Sequence, residues 1–315
     1  MRYLYVKSVF LWLSAVSVAL LGACSGESFE PSYDDEGAIS FSTPQTRAAI
    51  EDASKMESFS VWGWYRNTAT GGTPISVFNN TIVTQSSGWN YEGGTRYWIP
   101  GNTYNFYAVH PTGKGSYNSE GVLTVPSFDC SAIGQNAIDL MTAVSDPIKY
   151  EKGQTPDPVE LHFDHKLVRL NFIVTSEGDA VTITEAKIYG MSHVGSLQAD
   201  SWSLGDVSTS DGTPFKTDAL VIPEGDKNDY YLFGGDMLLP PHNSLKGVML
   251  EFKYRYNNEQ EEHPVAISLG EQNVATSWEA GKRYNYNINI PLNAVDVEFT
   301  VAVKDWDNES YTVNW

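Results

Sequence analysis

Period-two alternation of apolar and polar residues, broken every few positions by Gly, Asn, Asp, Ser or Pro, governs this chain from residue 39 onward. Successive side chains of an extended strand point to opposite faces, so the alternation supplies one face for burial and one for water. Residues 59–65, 104–109, 159–163, 167–174, 181–189, 248–256 and 284–290 carry it and are rich in Val, Ile, Phe, Tyr, Trp and Thr. Helical spacing is scarce, and no amphipathic stretch exceeds two turns. The expected fold class is all-β, with antiparallel sheets packed face to face.

The N-terminus is built differently. Arg2 and Lys7 flank the start of an apolar run over residues 9–21, too short and too early for a comfortable membrane span, so residues 1–23 read as a secretory signal. The run ends in Leu21-Gly22-Ala23-Cys24, a lipobox in which the Cys24 thiol becomes a thioether carrying acyl chains. At ~0.8 kcal/mol per buried CH₂, several chains hold a protein firmly in a bilayer. Residues 24–38, with Glu27, Glu30, Asp34, Asp35 and Glu36 and no hydrophobic period, read as an acidic tether. The expected location is therefore the outer membrane surface, with Cys24 as the lipid-bearing residue.

Loss of residues 1–23 removes two basic groups and no acidic one, so the formal charge of −19 becomes −21 on a mature chain of 292 residues. That balance opposes nucleic acid as a partner. Once Cys24 is acylated only Cys130 remains, which leaves no intramolecular disulfide and reads as an inert buried thiol. The mature length corresponds to about two domains at ~150 residues each. An internal echo agrees: Trp98, Gly101, Tyr104, Asn105 and Phe106 recur as Trp278, Gly281, Tyr284, Asn285 and Tyr286 at a constant offset of 180. We place the two β-sandwich domains at 39–176 and 177–315, with the polar stretch 175–179 as their boundary.

Catalytic and metal-binding patterns are missing from the residues. His162 and His165 sit in one strand segment where side chains alternate between faces, and His165, sharing its face with Leu161, Phe163 and Leu167, reads as a hydrogen-bonded core histidine. The run Asp305-Trp306-Asp307-Asn308 lacks the glycine and distal glutamate of a calcium loop and reads as a turn. Neither a nucleophile elbow nor a metalloprotease, phosphate-loop or dinucleotide motif occurs, so no enzyme, cofactor or metal is expected.

Several motifs in fixed order resemble one family. The lipobox, Thr46-Arg47-Ala48, Phe59-x-Val61-Trp62-Gly63, Tyr107-Ala108-Val109-His110-Pro111, Asp139-Leu140-Met141-x-Ala143, Leu161-x-Phe163-x-His165-x-Leu167 and Val301-x-Val303-x-x-Trp306 ending in Trp315 look like the fimbrillin, or Mfa-like, family of type V pilins. The resemblance implies two tandem transthyretin-like β-sandwiches, export as a lipoprotein, cleavage by an arginine-specific protease, and assembly with other fimbrial subunits. The matching cut lies between Arg47 and Ala48, close after Pro44 in a segment poor in pattern.

Residue alternation suggests how such assembly would use this chain. Ile39 and Phe41 fall on one face of a short strand with Ser40 and Ser42 on the other, and a cut after Arg47 would release that strand together with the lipid. Near the other end, Val297, Phe299, Val301 and Val303 form an apolar face; a polar break at 305–309 precedes Tyr311, Val313 and Trp315. Residues 306–315 are a candidate donor strand for a neighbouring subunit, or equally the final strand of their own sandwich. The other function class kept open is a fimbrial anchor or tip, or a surface lipoprotein with a host or glycan ligand, for which Trp62 and Trp64 would supply stacking rings unless their strand is buried on both faces.

Overall fold

The computed structural model describes residues 37–43, 56–226, 228–271, 275–291 and 297–306. Cys24, Arg47, Ala48, Tyr311, Val313 and Trp315 lie outside the described residues. Within them the chain is all β-strand and loop: no α-helix occurs, and Gly134–Asn136 forms a 3-10 turn. Six of the seven expected strands are found as single strands, including Ser58–Asn67, Asn102–His110, Val181–Tyr189 and Lys282–Ile290.

The first large sheet runs Phe163–His165, Met141–Val144, Asn102–His110, Ser58–Asn67, Gly71–Gln85 and Trp89–Tyr91, all antiparallel, with Ile148–Tyr150 pairing on Asn102–His110. One face carries Phe59, Val61, Phe78, Val83, Tyr104, Phe106 and Ala108 into a first core, which Ile39, Phe41, Val159 and Leu161 close from the other side. The opposite face of the same strands sends Trp62 and Val109 into a second, larger core. Ser58–Asn67 is thus buried on both faces.

The second core lies between two five-stranded sheets. In one, Val168–Ser176 and Lys282–Ile290 run parallel in register Leu170↔Tyr284 and Phe172↔Tyr286, and Glu298–Asp305 adds antiparallel at the edge. In the other, Val181–Tyr189, Met249–Tyr256 and His263–Ser268 are antiparallel neighbours. The larger sheets are antiparallel as expected, except for the parallel pair of Val168–Ser176 and Lys282–Ile290 inside one of them. Val168–Ser176, assigned from sequence to the first domain, packs its Leu170, Phe172 and Val174 in the second core. A four-stranded sheet joins the halves, since Leu123–Asp129 pairs with Val194–Gln198.

The 159–163 segment also departs from expectation. It divides into Val159–Glu160, paired parallel with Phe41–Ser42, and Phe163–His165, which pairs with Met141–Val144. Leu161 stays in the first core while Leu167 enters the second, so the chain changes partners between them. Cys130 is free and buried, and burial pushes its thiol well above the usual range.

Candidate functional site

The segment 37–43 occupies a slot over the first core and is hydrogen-bonded along both edges. On one side Ile39 N donates to Arg96 O at 2.8 Å and Trp98 N donates to Gly37 O at 2.9 Å. On the other, Val159 N donates to Ser40 O at 2.8 Å and Leu161 N to Ser42 O at 2.9 Å. Two side chains reinforce the seat: Tyr91 Oη donates to Ile39 O at 2.9 Å, and Trp89 Nε1 to Thr43 Oγ1 at 3.0 Å.

Alternation in the sequence sets which side chains enter the slot. Ile39 and Phe41 are 1% and 5% exposed, whereas Ser40 faces solvent. The Phe41 ring meets Phe78 at 5.2 Å, Phe106 at 5.7 Å and Tyr91 at 6.0 Å between centroids, each near edge-on. Burial of two such side chains contributes about 1.5–3 kcal/mol apiece. Withdrawal of the segment would open an apolar channel and unpair backbone groups on both of its walls.

The repeated turn motif explains why this slot differs from its counterpart. In both copies the glycine takes a left-handed conformation, Gly101 at φ 79° and Gly281 at φ 70°. In both, the residue after the tryptophan donates its N–H to the tyrosine hydroxyl: Ile99 N to Tyr104 Oη at 2.7 Å, Glu279 N to Tyr284 Oη at 3.1 Å. Each tryptophan then offers its backbone to a further segment. Trp278 exchanges two hydrogen bonds with His242, a residue of the second half, whereas Trp98 bonds to Gly37, which precedes Arg47 in the chain. The second copy is closed by the body of the chain and the first by its N-terminal segment.

At the other end of the chain, Glu298–Asp305 packs Phe299 on Tyr286 with rings stacked 5.5 Å apart. Val297, Phe299 and Val301 press on the second core, but Val303 is 48% exposed, so the expected apolar face stops short of it. Trp306 is clamped: its ring stacks on His165 at 3.8 Å and 7°, its backbone N–H donates to Gly281 O at 2.8 Å, and the Arg169 guanidinium lies 5.9 Å from the ring. His165 Nδ1 in turn meets Asp139 Oδ2 at 2.5 Å, and Arg169 pairs with Asp236. His165 is hydrogen-bonded, as expected, but it serves as a platform for Trp306.

Trp62 and Trp64 do not form an exposed pair. Trp62 is 3% exposed and packs edge-on against Tyr117, and Trp64 is half-buried against Tyr107. Stacking of Trp62 on a sugar is excluded by that burial. Among the described residues no group of three or more His, Cys, Asp or Glu is placed to hold a metal ion, and no helix is long and apolar enough to cross a membrane.

The sequence profile of the fimbrillin-like family matches residues 46–306. The chain belongs to that family. Among solved structures, this fimbrillin resembles a Bacteroides uniformis protein described as a cell adhesion protein, at 20% identity and TM-score 0.52, covering 86% of this chain and 98% of that one. It also resembles a fimbrial protein of Bacteroides vulgatus, at 16% identity and TM-score 0.54, covering 86% and 99%. At such identities the likeness is one of fold. No curated protein sequence matches the chain.

Proposed function

We propose that this fimbrillin is a structural subunit of a bacterial surface fimbria, exported as a lipoprotein on Cys24, cut after Arg47 and polymerised by strand exchange. The single observation that carries the reading is the seat of Ile39 and Phe41, buried in the first core and hydrogen-bonded on both sides, on the N-terminal side of Arg47. Cleavage there leaves the segment attached to the lipid and no longer to the sheet that starts at Ser58. A neighbour's extended strand then takes its place. The two tandem transthyretin-like sandwiches meet near residues 166–168 in this reading, because Val168–Ser176 takes its partners from the second half.

The donor segment starts after Trp306, since that residue is held by His165 in its own subunit. Extended at about 3.3 Å per residue, 307–315 reaches about 30 Å, enough to run the length of the seven-residue slot 37–43. Tyr311, Val313 and Trp315 supply the alternating apolar side chains that the vacated Ile39 and Phe41 positions require.

Treatment of the acylated protein with an arginine-specific protease tests the scheme. The expected product begins at Ala48 and forms rods by electron microscopy, and removal of 307–315 abolishes the rods while the cut still occurs. Monomers that persist after a complete cut would overturn the stalk role and favour a fimbrial anchor or tip on the outer membrane.

A further inference from the structure

We propose that a cavity of about 540 Å³ between the Ser201–Leu204 strand and the loop over 240–244 binds a neutral sugar ring. Its volume falls within the roughly 300–1,000 Å³ typical of small-molecule sites. Trp202 is one of the lining residues, with Asp200, Ser201, Asn243 and Ser244 as polar neighbours and Leu204 and Pro241 as apolar ones. An aromatic plane bordered by a few acceptors and donors matches a pyranose, whose C–H face is apolar and whose rim is hydroxyl groups.

The walls are held in place before any ligand arrives. Trp202 Nε1 donates to Lys166 O at 3.1 Å, and the ring lies over Gly195, where a Cβ would come within 2.9 Å of Cε3. Lys166 Nζ reaches Asp200 Oδ1 at 3.4 Å, so one residue fixes the indole through its carbonyl and offsets the carboxylate through its ammonium. The opposite wall is anchored by the backbone pair His242 and Trp278. His242 is itself saturated, with Nδ1 donating to Pro240 O at 2.8 Å and Nε2 accepting from Ser192 N at 3.1 Å. Both walls are thus tied by hydrogen bonds to the chain around them.

Charge decides among ligand classes. No lysine or arginine lines the cavity, and the chain carries a formal charge of −19, so an anionic sugar finds no counter-charge. A quaternary ammonium would suit an indole beside a bare carboxylate, but Asp200 already has its cation in Lys166. Among the described residues no hydrogen bond engages the side chains of Ser201 or Asn243, which leaves both for a neutral polyol. The site is independent of strand exchange and gives a subunit of either kind a means of attachment.

Titration of the full-length, detergent-solubilised protein with methyl galactoside, methyl glucoside and N-acetylglucosamine tests it, with N-acetylneuraminic acid and choline as charged controls. The readout is the Trp202 indole N–H resonance, identified by its loss in Trp202→Phe. A saturable shift with at least one neutral sugar in the millimolar range, weakened roughly tenfold or more by Asn243→Ala and by Asp200→Ala, is expected. Asn243 is exposed, so its replacement leaves the fold intact even if a change at Trp202 does not. Silence of this resonance towards all three neutral sugars, a shift that survives both variants, or binding of choline or the anionic sugar in their place would overturn the assignment. Rod formation enters none of these arms, so failure here and failure of the assembly scheme are read separately.

Discussion

Trp278 Nε1 donates a 2.8 Å hydrogen bond to Tyr286 Oη, whereas the equivalent indole of Trp98, also buried, has no partner, because position 106 is phenylalanine. The two copies of the turn motif thus share a backbone and differ by one hydroxyl. A buried donor without an acceptor costs about 1–3 kcal/mol, and a satisfied one contributes about 0.5–1.5 kcal/mol. Phe106→Tyr should stabilise the protein by about 1 kcal/mol, read as a higher urea midpoint at unchanged slope. A lower midpoint would mean that the hydroxyl does not reach Trp98.

Phe41 is the largest side chain that the segment 37–43 places in the slot. Phe41→Ala should cost about 3–5 kcal/mol of stability, the range for truncating a buried phenylalanine. In protein already cut after Arg47 it should also speed release of the N-terminal fragment, measured by size-exclusion chromatography over time. Equal release rates for variant and parent would show that the Phe41 ring does not hold the segment.

The pH dependence follows from His242, whose imidazole burial pushes below its ordinary value of 6.5. Below that value the unfolded chain takes up a proton that the folded chain refuses. The contribution of His242 is therefore complete above about pH 6.5 and declines as the pH falls toward the depressed folded value. His242→Gln should be less stable than the parent at about pH 7.5, and the gap should narrow toward pH 5. Parallel stability curves for the two proteins would remove His242 from the account.

Trp306 ties the edge strand Glu298–Asp305 to the junction between the halves through His165. An aromatic pair contributes about 0.5–1.5 kcal/mol beyond its burial. Trp306→Ala should raise amide exchange in that strand roughly tenfold, with little change in Ser58–Asn67. Uniform acceleration across the chain would indicate global destabilisation in place of a local clamp.

Alternation of apolar residues, and the recurrence of Trp98-Gly101-Tyr104 as Trp278-Gly281-Tyr284, were enough to place most strands and to expect two similar halves. Both signals are local, since the period of a strand and the left-handed glycine of a turn depend on residues a few positions apart. The inward direction of Ile39 and Phe41 was legible for the same reason.

Partnership across space was settled by packing. Trp62 and Phe59 alternate as any strand would, yet they belong to different cores, because Ser58–Asn67 is covered on both faces by segments far away in the chain. Nothing near Val168 in sequence announces a parallel partner at Lys282–Ile290, and nothing near Trp202 announces a loop from 240–244 across a cavity. Sequence periodicity specifies which face of a strand is apolar. Which surface covers that face depends on tertiary contacts between residues many positions apart, and here those contacts put the N-terminal segment in the slot and Trp202 on the cavity wall.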